Sequence, residues 1–352
     1  MKVKSKYKFL RMKKEILPLF LMFTTLWGFQ SCANAIDNKK DYMCFDNISY
    51  VTDYPKSLSL KADTSYVSEI VGINDFEIID SLIIYETHES LGGWVICSLN
   101  SGKTLKAIFD KGHSKTEFSA IPQLCDGTTF FYDKKQLKTI VYDFGNGQLF
   151  EVNISNTIKK DSLHMKSLPY KVPVNLDKYI FMGDNEYYIR DMMTKSSKWY
   201  KDGEIKESEV INTLNDFEIT DDFNVLGAMI RYNHEKQIFV ELPVYTNYVN
   251  IFSLSTGKSK TVCMGKEMIS IPTTQVMEGE NFYDIRLFED CFALLYIKNE
   301  SSYPSIRFFD YEGNAIKEIF LDKNVTSFDI DTNTNTLYTY DCENETFYIY
   351  RL

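Results

Sequence analysis

The stretch TLYTYDCENETFYIYRL, residues 336–352, reads as two alternating, aromatic-rich runs separated by a short polar turn. Alternation with a period of two puts successive side chains on opposite faces of an extended chain, so the stretch is a β-hairpin. Similar hairpins precede it. LIIYE (82–86) goes with WVICSL (94–99), TFFYD (129–133) with TIVYD (139–143), and KYIFM (178–182) with EYYIR (186–190). AMIRY (228–232) is followed by QIFVEL (237–242) and VNIFSL (249–254), and CFALLYI (291–297) goes with SIRFFD (305–310).

With the terminal one these make six hairpins, recurring at about 40 to 60 residues, which is the period of propeller blades. The repeat extends past the hairpin into a turn and a further strand: SLNSGKTLKAIF (98–109), DFGNGQLFEVNI (143–154), SLSTGKSKTV (253–262) and DYEGNAIKEIFL (310–321). Gly102, Gly147, Gly257 and Gly313 hold equivalent turn positions, where positive φ suits glycine. The third unit departs, with MMTKSSKWYKDGEI in that place. Ahead of the hairpins lie further short strands: FEIID (76–80), FNVLG (223–227), YDIRLFE (283–289) and SFDID (327–331). Four strands per repeat predict an all-β fold over residues 56–352, a six-bladed β-propeller of four-stranded antiparallel blades. The last blade lacks its outer strand. The alternating segment 56–71, KSLSLKADTSYVSEIV, belongs to no blade and is expected to pair with residues 346–351, closing the ring and covering a bare sheet edge.

The chain has 352 residues, 44% of them hydrophobic, with 25 Phe and 24 Tyr, enough for a large core. Its first residues differ in kind. Seven Lys and Arg lie between residues 2 and 14, followed by the apolar run 16–27 and then Ser31, Cys32 and Ala33. Charged, apolar, then small is the layout of a secretory signal. The apolar run is too short to span a bilayer, which takes about 20 residues.

GFQSC (28–32) resembles the lipobox of bacterial lipoproteins, with Phe29 where Leu is usual. That resemblance implies a signal peptide over residues 1–31, lipidation at Cys32, and a polar tether over residues 32–55. A diacylated and N-acylated cysteine supplies the more than one chain that stable anchoring requires. The alternative is an ordinary cleaved signal with an incidental cysteine. Residues 1–31 hold seven of the 39 Lys and Arg and one of the 49 Asp and Glu, which leaves 32 basic and 48 acidic residues and a net charge of −16. So acidic a chain is not expected to bind nucleic acid.

The lipobox, the six hairpins and the closing stretch SFDIDTNTNTLYTYDCENETFYIYRL together resemble the TolB-like six-bladed β-propeller lipoproteins of Gram-negative bacteria. KGHSKTEF (111–118) is similar to the G-x-G-P-x-E-F stretch between the first two blades of that family, with Gly112, Glu117 and Phe118 matching. The resemblance implies the fold and an outer-membrane lipoprotein facing the periplasm or the cell surface, touching the membrane through its lipid alone. It implies no catalytic residues.

Chemistry-bearing motifs are sparse. Asp329, Asp331, Asn333 and Asn335 alternate like calcium ligands, but Thr334 and Tyr340 stand where an EF-hand needs Gly and Glu, so an Asx-rich turn is expected. The histidines fall in predicted loops without metal-ligand spacing, and Cys44, Cys97, Cys125, Cys263, Cys291 and Cys342 are too irregularly spaced for zinc; buried thiols are expected. No metal or cofactor is expected. His113 with Glu117 is the nearest thing to an acid/base pair. Trp94, Trp199, Tyr200, Tyr245, Tyr248 and Tyr303 lie near turns, where aromatic faces stack on sugars or proteins. The binding residues expected are therefore His113, Glu117, Trp94, Tyr245 and Tyr248, in a non-enzymatic module for a protein or glycan. The alternatives are a propeller hydrolase or lyase acting on polysaccharide, and a structural envelope scaffold.

Overall fold

Apart from three N-terminal strands added at the edges, each sheet of the protein keeps its strands in chain order, which is the mark of a propeller blade. The computed structural model describes residues 41–88, 93–112, 117–124, 129–145, 147–171, 176–183, 185–217, 223–271, 281–297 and 303–352. Three short strands come first: β1 (Ile48–Val51), β2 (Ser57–Ser59) and β3 (Thr64–Val67). Blade one is β4 (Ile73–Ile79), β5 (Leu82–Thr87), β6 (Trp94–Ser98) and β7 (Thr104–Ile108). Blade two is β8 (Thr129–Asp133), β9 (Gln136–Asp143), β10 (Gln148–Asn153) and, after helix α1 (Ile154–Lys160), β11 (Met165–Lys171). Blade three is β12 (Leu176–Gly183), β13 (Glu186–Asp191), β14 (Ser197–Lys201) and β15 (Glu204–Lys206), followed by α2 (Glu209–Leu214).

Blade four is β16 (Ala228–Asn233), β17 (Ile238–Pro243), β18 (Tyr248–Phe252) and β19 (Ser259–Met264). Blade five is β20 (Asn281–Leu287), β21 (Cys291–Ile297), β22 (Ser305–Asp310) and β23 (Ala315–Phe320). Blade six is β24 (Ser327–Asp331), β25 (Thr336–Asp341) and β26 (Thr346–Arg351), with β3 as its fourth strand. Apolar clusters fill the spaces between blades, such as Trp94, Phe109 and Phe118 with Leu137 and Val141.

The expected closure is present. β3 runs antiparallel to β26, with Val67 opposite Thr346 and Thr64 opposite Ile349. Gly102, Gly147, Gly257 and Gly313 have φ of +66°, +61°, +69° and +81°, as their turn positions require. At Gly313 a Cβ would also come within 2.5 Å of Val262 Cγ2, so this turn of blade five lies close against blade four.

Three features differ from the sequence reading. The hairpins at 129–143 and 178–190 are first and second strands of their blades, and β11, beyond α1, is the outer strand of blade two. Any two neighbours in an antiparallel meander alternate alike, so periodicity leaves their rank in the blade open. FNVLG forms a 3₁₀ turn over Phe223–Leu226, with Val225 and Leu226 both buried, and AMIRY is the innermost strand of blade four.

The third difference concerns the tether. From residue 41 onward the chain is part of the ring, and Met43, Cys44 and Phe45 are buried. β1 and β2 lie parallel to β19 and β23, making blades four and five five-stranded. The cause is a buried polar row across blade four. Glu241, Asn250 and Thr261 stand on adjacent strands, where Asn250 donates to Glu241 at 3.2 Å and Thr261 donates to Asn250 at 2.7 Å. Arg190, wholly buried, reaches from blade three to Glu241 at 2.7 Å.

Residues 43–45 complete this row. Asn250 donates to the Met43 carbonyl at 2.7 Å, and the Phe45 amide donates to Thr261 Oγ1 at 2.8 Å. Polar composition marks a tether only where the backbone stays in water; here the segment adds hydrogen bonds to the buried Asn250 and Thr261 of blade four. Of the described cysteines, Cys97 and Cys291 lie in β6 and β21 as free thiols and Cys342 in an exposed turn, while Cys44 and Cys263 are buried in one cluster with Tyr248. Cys125 lies outside the described residues.

Truncation separates these roles. A chain starting at residue 41 should melt like one starting at 33. A chain starting at 55 loses Met43 and Phe45, whose burial is worth ~1.5–3 kcal/mol each, and should melt several degrees lower. A start at 72 also bares the edge of β26 and should aggregate in light scattering. Equal melting and scattering for the starts at 41 and 72 would sink the closure.

Candidate functional site

The innermost strands of neighbouring blades stand side by side around the central channel, as β12 with β16, β16 with β20, β20 with β24 and β24 with β4. Charged side chains stud these strands: Asp75 and Glu77 on β4, Arg231 on β16, Asp284 and Arg286 on β20, and Asp329 on β24. Two of the strands are bulged just before the charges, between Ile73 and Asp75 in β4 and between Phe282 and Asp284 in β20. A bulge adds a residue to one strand and re-aims the side chains beyond it.

Arg286, 4% exposed, binds groups on three blades. Its Nε donates to the Phe328 carbonyl of blade six at 2.7 Å. Its Nη2 donates to Asp75 Oδ1 at 2.7 Å and to the Phe76 carbonyl at 2.9 Å, both on blade one, and lies 3.0 Å from Asp284 Oδ2 on its own strand. The aspartates repeat one geometry. Asp284 accepts from the next amide of its own strand, Ile285, at 2.7 Å and from Phe328 of the following blade at 3.1 Å. Asp329 accepts from Ile330 and from Ile78 of blade one, both at 2.7 Å.

Arg231 is held more loosely. Its side chain is 10% exposed, its Nη1 lies 3.8 Å from Glu77 Oε2 and donates to the Leu124 carbonyl at 3.4 Å. Arg231 Nε and Nη2, Arg286 Nη1 and Glu77 Oε2 are buried without hydrogen-bond partners. Each such group costs roughly 1–3 kcal/mol, so this wall is held at some expense to stability.

Beside it opens a cavity of about 640 Å³ with lining residues from all six blades. Arg231, Arg286, Glu77 and Asp329 are in its wall, Tyr232 and Phe288 add aromatic surface, and the exposed Asp80, Glu235, Glu289 and Thr332 form its rim. The Tyr132 hydroxyl donates to Asp80 from blade two.

Burial sets the proton affinities. It pushes Glu77 up to about 7, against the pull of Arg231 and Arg286 and with help from Asp329 and Asp75. Burial likewise raises Asp284 and Asp329, with Arg286 opposing in both. Burial works against a charge on Arg286, but Asp284, Asp75, Asp329 and Glu77 outweigh it and hold the proton. His234, also in the cavity wall, is lowered to about 4 by burial and is neutral at neutral pH.

The residues expected from sequence to bind do not meet here. Trp94 opens β6 wholly buried, edge-on to Phe109, with its indole N–H donating to the Pro122 carbonyl at 2.7 Å. Tyr248 opens β18 wholly buried, and its hydroxyl accepts from the Met43 amide at 2.9 Å. Both are corrections to an expected exposed position: a large ring at the start of the third strand of a blade turns into the core. Tyr245 is half-buried in the turn between β17 and β18, at a φ of +68°. Tyr303 is exposed, Trp199 donates to Glu186 at 2.8 Å, and Tyr200 stacks on Tyr187.

Glu117 packs against Gly112 so closely that a Cβ there would collide with its carboxylate. Next to it Phe118 is buried against Phe109 and Phe150, which makes this stretch a plug between blades one and two. Neither residue lines the cavity. His113 and Cys32 lie outside the described residues. Asp331 makes the expected turn, accepting from the Asn333 amide at 3.0 Å and the Thr334 hydroxyl at 2.6 Å. The signal that marks the cavity is charge at the centre of strand candidates, in YDIRLFE, AMIRY and SFDID, where a buried strand has no ordinary use for it.

Fold and channel define a six-bladed β-propeller with a buried charge network at its axis and an open polar cavity beside it. No protein-family model and no curated protein matches the chain. Among solved structures it is similar to a member of the DUF4221 family from Bacteroides vulgatus, at 10% identity and a TM-score of 0.51, over 83% of this chain and 97% of that one. It is also similar to the β-propeller domain of Cps50 (Swd1) from Myceliophteria thermophila, at 8% identity and 0.45, over 82% and 100%. A third likeness is to an auxiliary nutrient binding protein from Bacteroides ovatus, at 10% identity and 0.46, over 79% and 69%. At such identities the likeness is one of fold.

A carboxyl raised to about 7 binds its proton more tightly in the folded than in the unfolded chain. The stabilisation is therefore full below the ordinary glutamate range and lost as pH rises through 7. Glu77→Gln, which imitates the protonated form, should melt about 2–4 °C above wild type at pH 8 and level with it at pH 4.5. A difference that does not change with pH would refute the assignment.

Proposed function

We propose that this protein is a lipid-anchored binding module of the cell envelope that takes a glycan into its central channel. The observation that carries the reading is the cavity of about 640 Å³, walled by buried guanidinium and carboxyl groups with individual atoms that lack partners. Hydroxyl groups both donate and accept, so a sugar matches a wall that offers both, and Tyr232 and Phe288 give its ring an apolar face. A purely structural scaffold has no use for such a cavity.

The anchor and the address rest on the lipobox at Cys32 and the resemblance to TolB-like lipoproteins. They make the protein an outer-membrane lipoprotein, facing the periplasm or the cell surface. Cys32→Ala should lose lipid labelling and membrane association in cell fractionation; unchanged fractionation would remove the anchor from the proposal.

One observation favours a second reading, hydrolysis or cleavage of a polysaccharide: Glu77 and Asp329, both with raised proton affinity, share the cavity with neutral His234. Titration of a panel of neutral and acidic oligosaccharides tests both. At least one should bind wild type and fail to bind Thr332→Trp, which fills the rim without touching the charge network. Binding unaffected by Thr332→Trp would remove the ligand from the channel, and new reducing ends in the same mixtures would favour the enzyme.

A further inference from the structure

The chemistry of the wall narrows the ligand further, resting on the glycan reading above. We propose that the cavity takes a carboxylated sugar, its carboxylate seated on the guanidinium groups of Arg231 and Arg286 in place of Glu77.

Arg231 and Arg286 are the two cations of the cavity wall, and both have nitrogens without an acceptor: Nε and Nη2 of Arg231, Nη1 of Arg286. Nε and Nη2 form one edge of a guanidinium, two parallel N–H bonds at the spacing of the two oxygens of a carboxylate. A neutral hydroxyl fills half of such an edge. A carboxylate fills it all.

The carboxylates in the wall and just behind it do not fill it. From β20, Asp284 is tied to the amides of Ile285 and Phe328 and to Arg286. From β4, Asp75 is tied to Arg286, and from β24, Asp329 to the amides of Ile78 and Ile330. Asp75 keeps Oδ2 unpartnered but is fixed through Oδ1 to Arg286; Glu77 lies 3.8 Å from Arg231 Nη1 with no hydrogen bond at Oε2, and its side chain keeps 23% exposure. It is the group that can yield.

The exchange balances. One ligand carboxylate enters, and the Glu77 carboxylate takes one proton from solvent, so the charge of the wall is unchanged. Because burial holds Glu77 near 7, the proton costs little below that pH and progressively more above it. His234 in the wall is neutral throughout this range; Asp329 and Asp284, which burial also raises, keep their amide and Arg286 partners when the ligand enters. The rim carboxylates Asp80, Glu235 and Glu289 are exposed, where water and salt screen them.

Calorimetric titration of the full chain with digalacturonate and with its neutral counterpart galactobiose tests the inference. Digalacturonate should bind at least tenfold tighter at pH 6 and lose about fivefold between pH 7 and 8, steepening above that to the slope of one linked proton. At pH 8, heats in phosphate and Tris buffers should differ by the uptake of close to one proton. Glu77→Gln should abolish the uptake and flatten the pH profile, while Arg231→Lys, which keeps the charge and loses the edge, should weaken digalacturonate at least tenfold more than it weakens galactobiose. Equal affinity for the two sugars, or proton uptake that survives Glu77→Gln, overturns the inference and leaves the glycan reading standing. No binding of digalacturonate at either pH overturns it as well, and the wider panel then decides the glycan reading alone.

Discussion

Closing a ring of blades needs a joint at the axis as well as at the rim, and in this protein the axial joint is the side chain of Arg286. From blade five it reaches a carbonyl of blade six and both a carbonyl and a carboxylate of blade one. It thereby spans the point where the end of the chain meets its beginning. The aspartates at the same level act in sequence, Asp284 taking an amide of blade six and Asp329 an amide of blade one. A buried ion cluster is costly to desolvate, and apolar packing is often as stable. Its contribution is geometric: each group has a fixed backbone partner on the next blade, which sets how far the strands are rotated and shifted against one another. Packed apolar side chains would tolerate slippage at this junction.

At the rim the joint is made by a strap. Residues 41–67 pass outside blades four, five and six and add a strand to each, parallel on the first two and antiparallel on the last. The strap is needed in two ways. β3 supplies the strand that blade six lacks, and residues 43–45 supply hydrogen bonds to a polar row that runs through blade four to Arg190. Removing one partner of the Arg190–Glu241 pair would leave a buried charge uncompensated, roughly 3–5 kcal/mol.

The axial joint and the cavity share one wall. A network serving closure alone would satisfy every donor. Here Arg286 Nη1 and Asp75 Oδ2 in the joint are without partners, and so are Arg231 Nε and Nη2 and Glu77 Oε2, where Arg231 and Glu77 face each other loosely at 3.8 Å. Local cost at a wall of a cavity is the usual signature of a site whose partner arrives from solution.

The sequence by itself determined the number of blades, the turn glycines and the closing strand, because period-two alternation, positive-φ turns and a missing edge partner are local or additive properties. Those readings hold at Gly313, at β24 to β26 and at the pairing of Val67 with Thr346. Tertiary structure alone decided the rest. Strand rank in blades two and three depends on which strand faces the axis, and alternation is blind to that. Trp94 and Tyr248 lie beside turns in the sequence and in the core in space. Met43 and Phe45 sit in a polar segment and yet are buried, because the groups they satisfy, Asn250 and Thr261, lie more than 200 residues away. The charges of the channel were visible in YDIRLFE and SFDID, but residues 75, 231, 286 and 329 become one site only when the ring closes and brings four blades to a common axis.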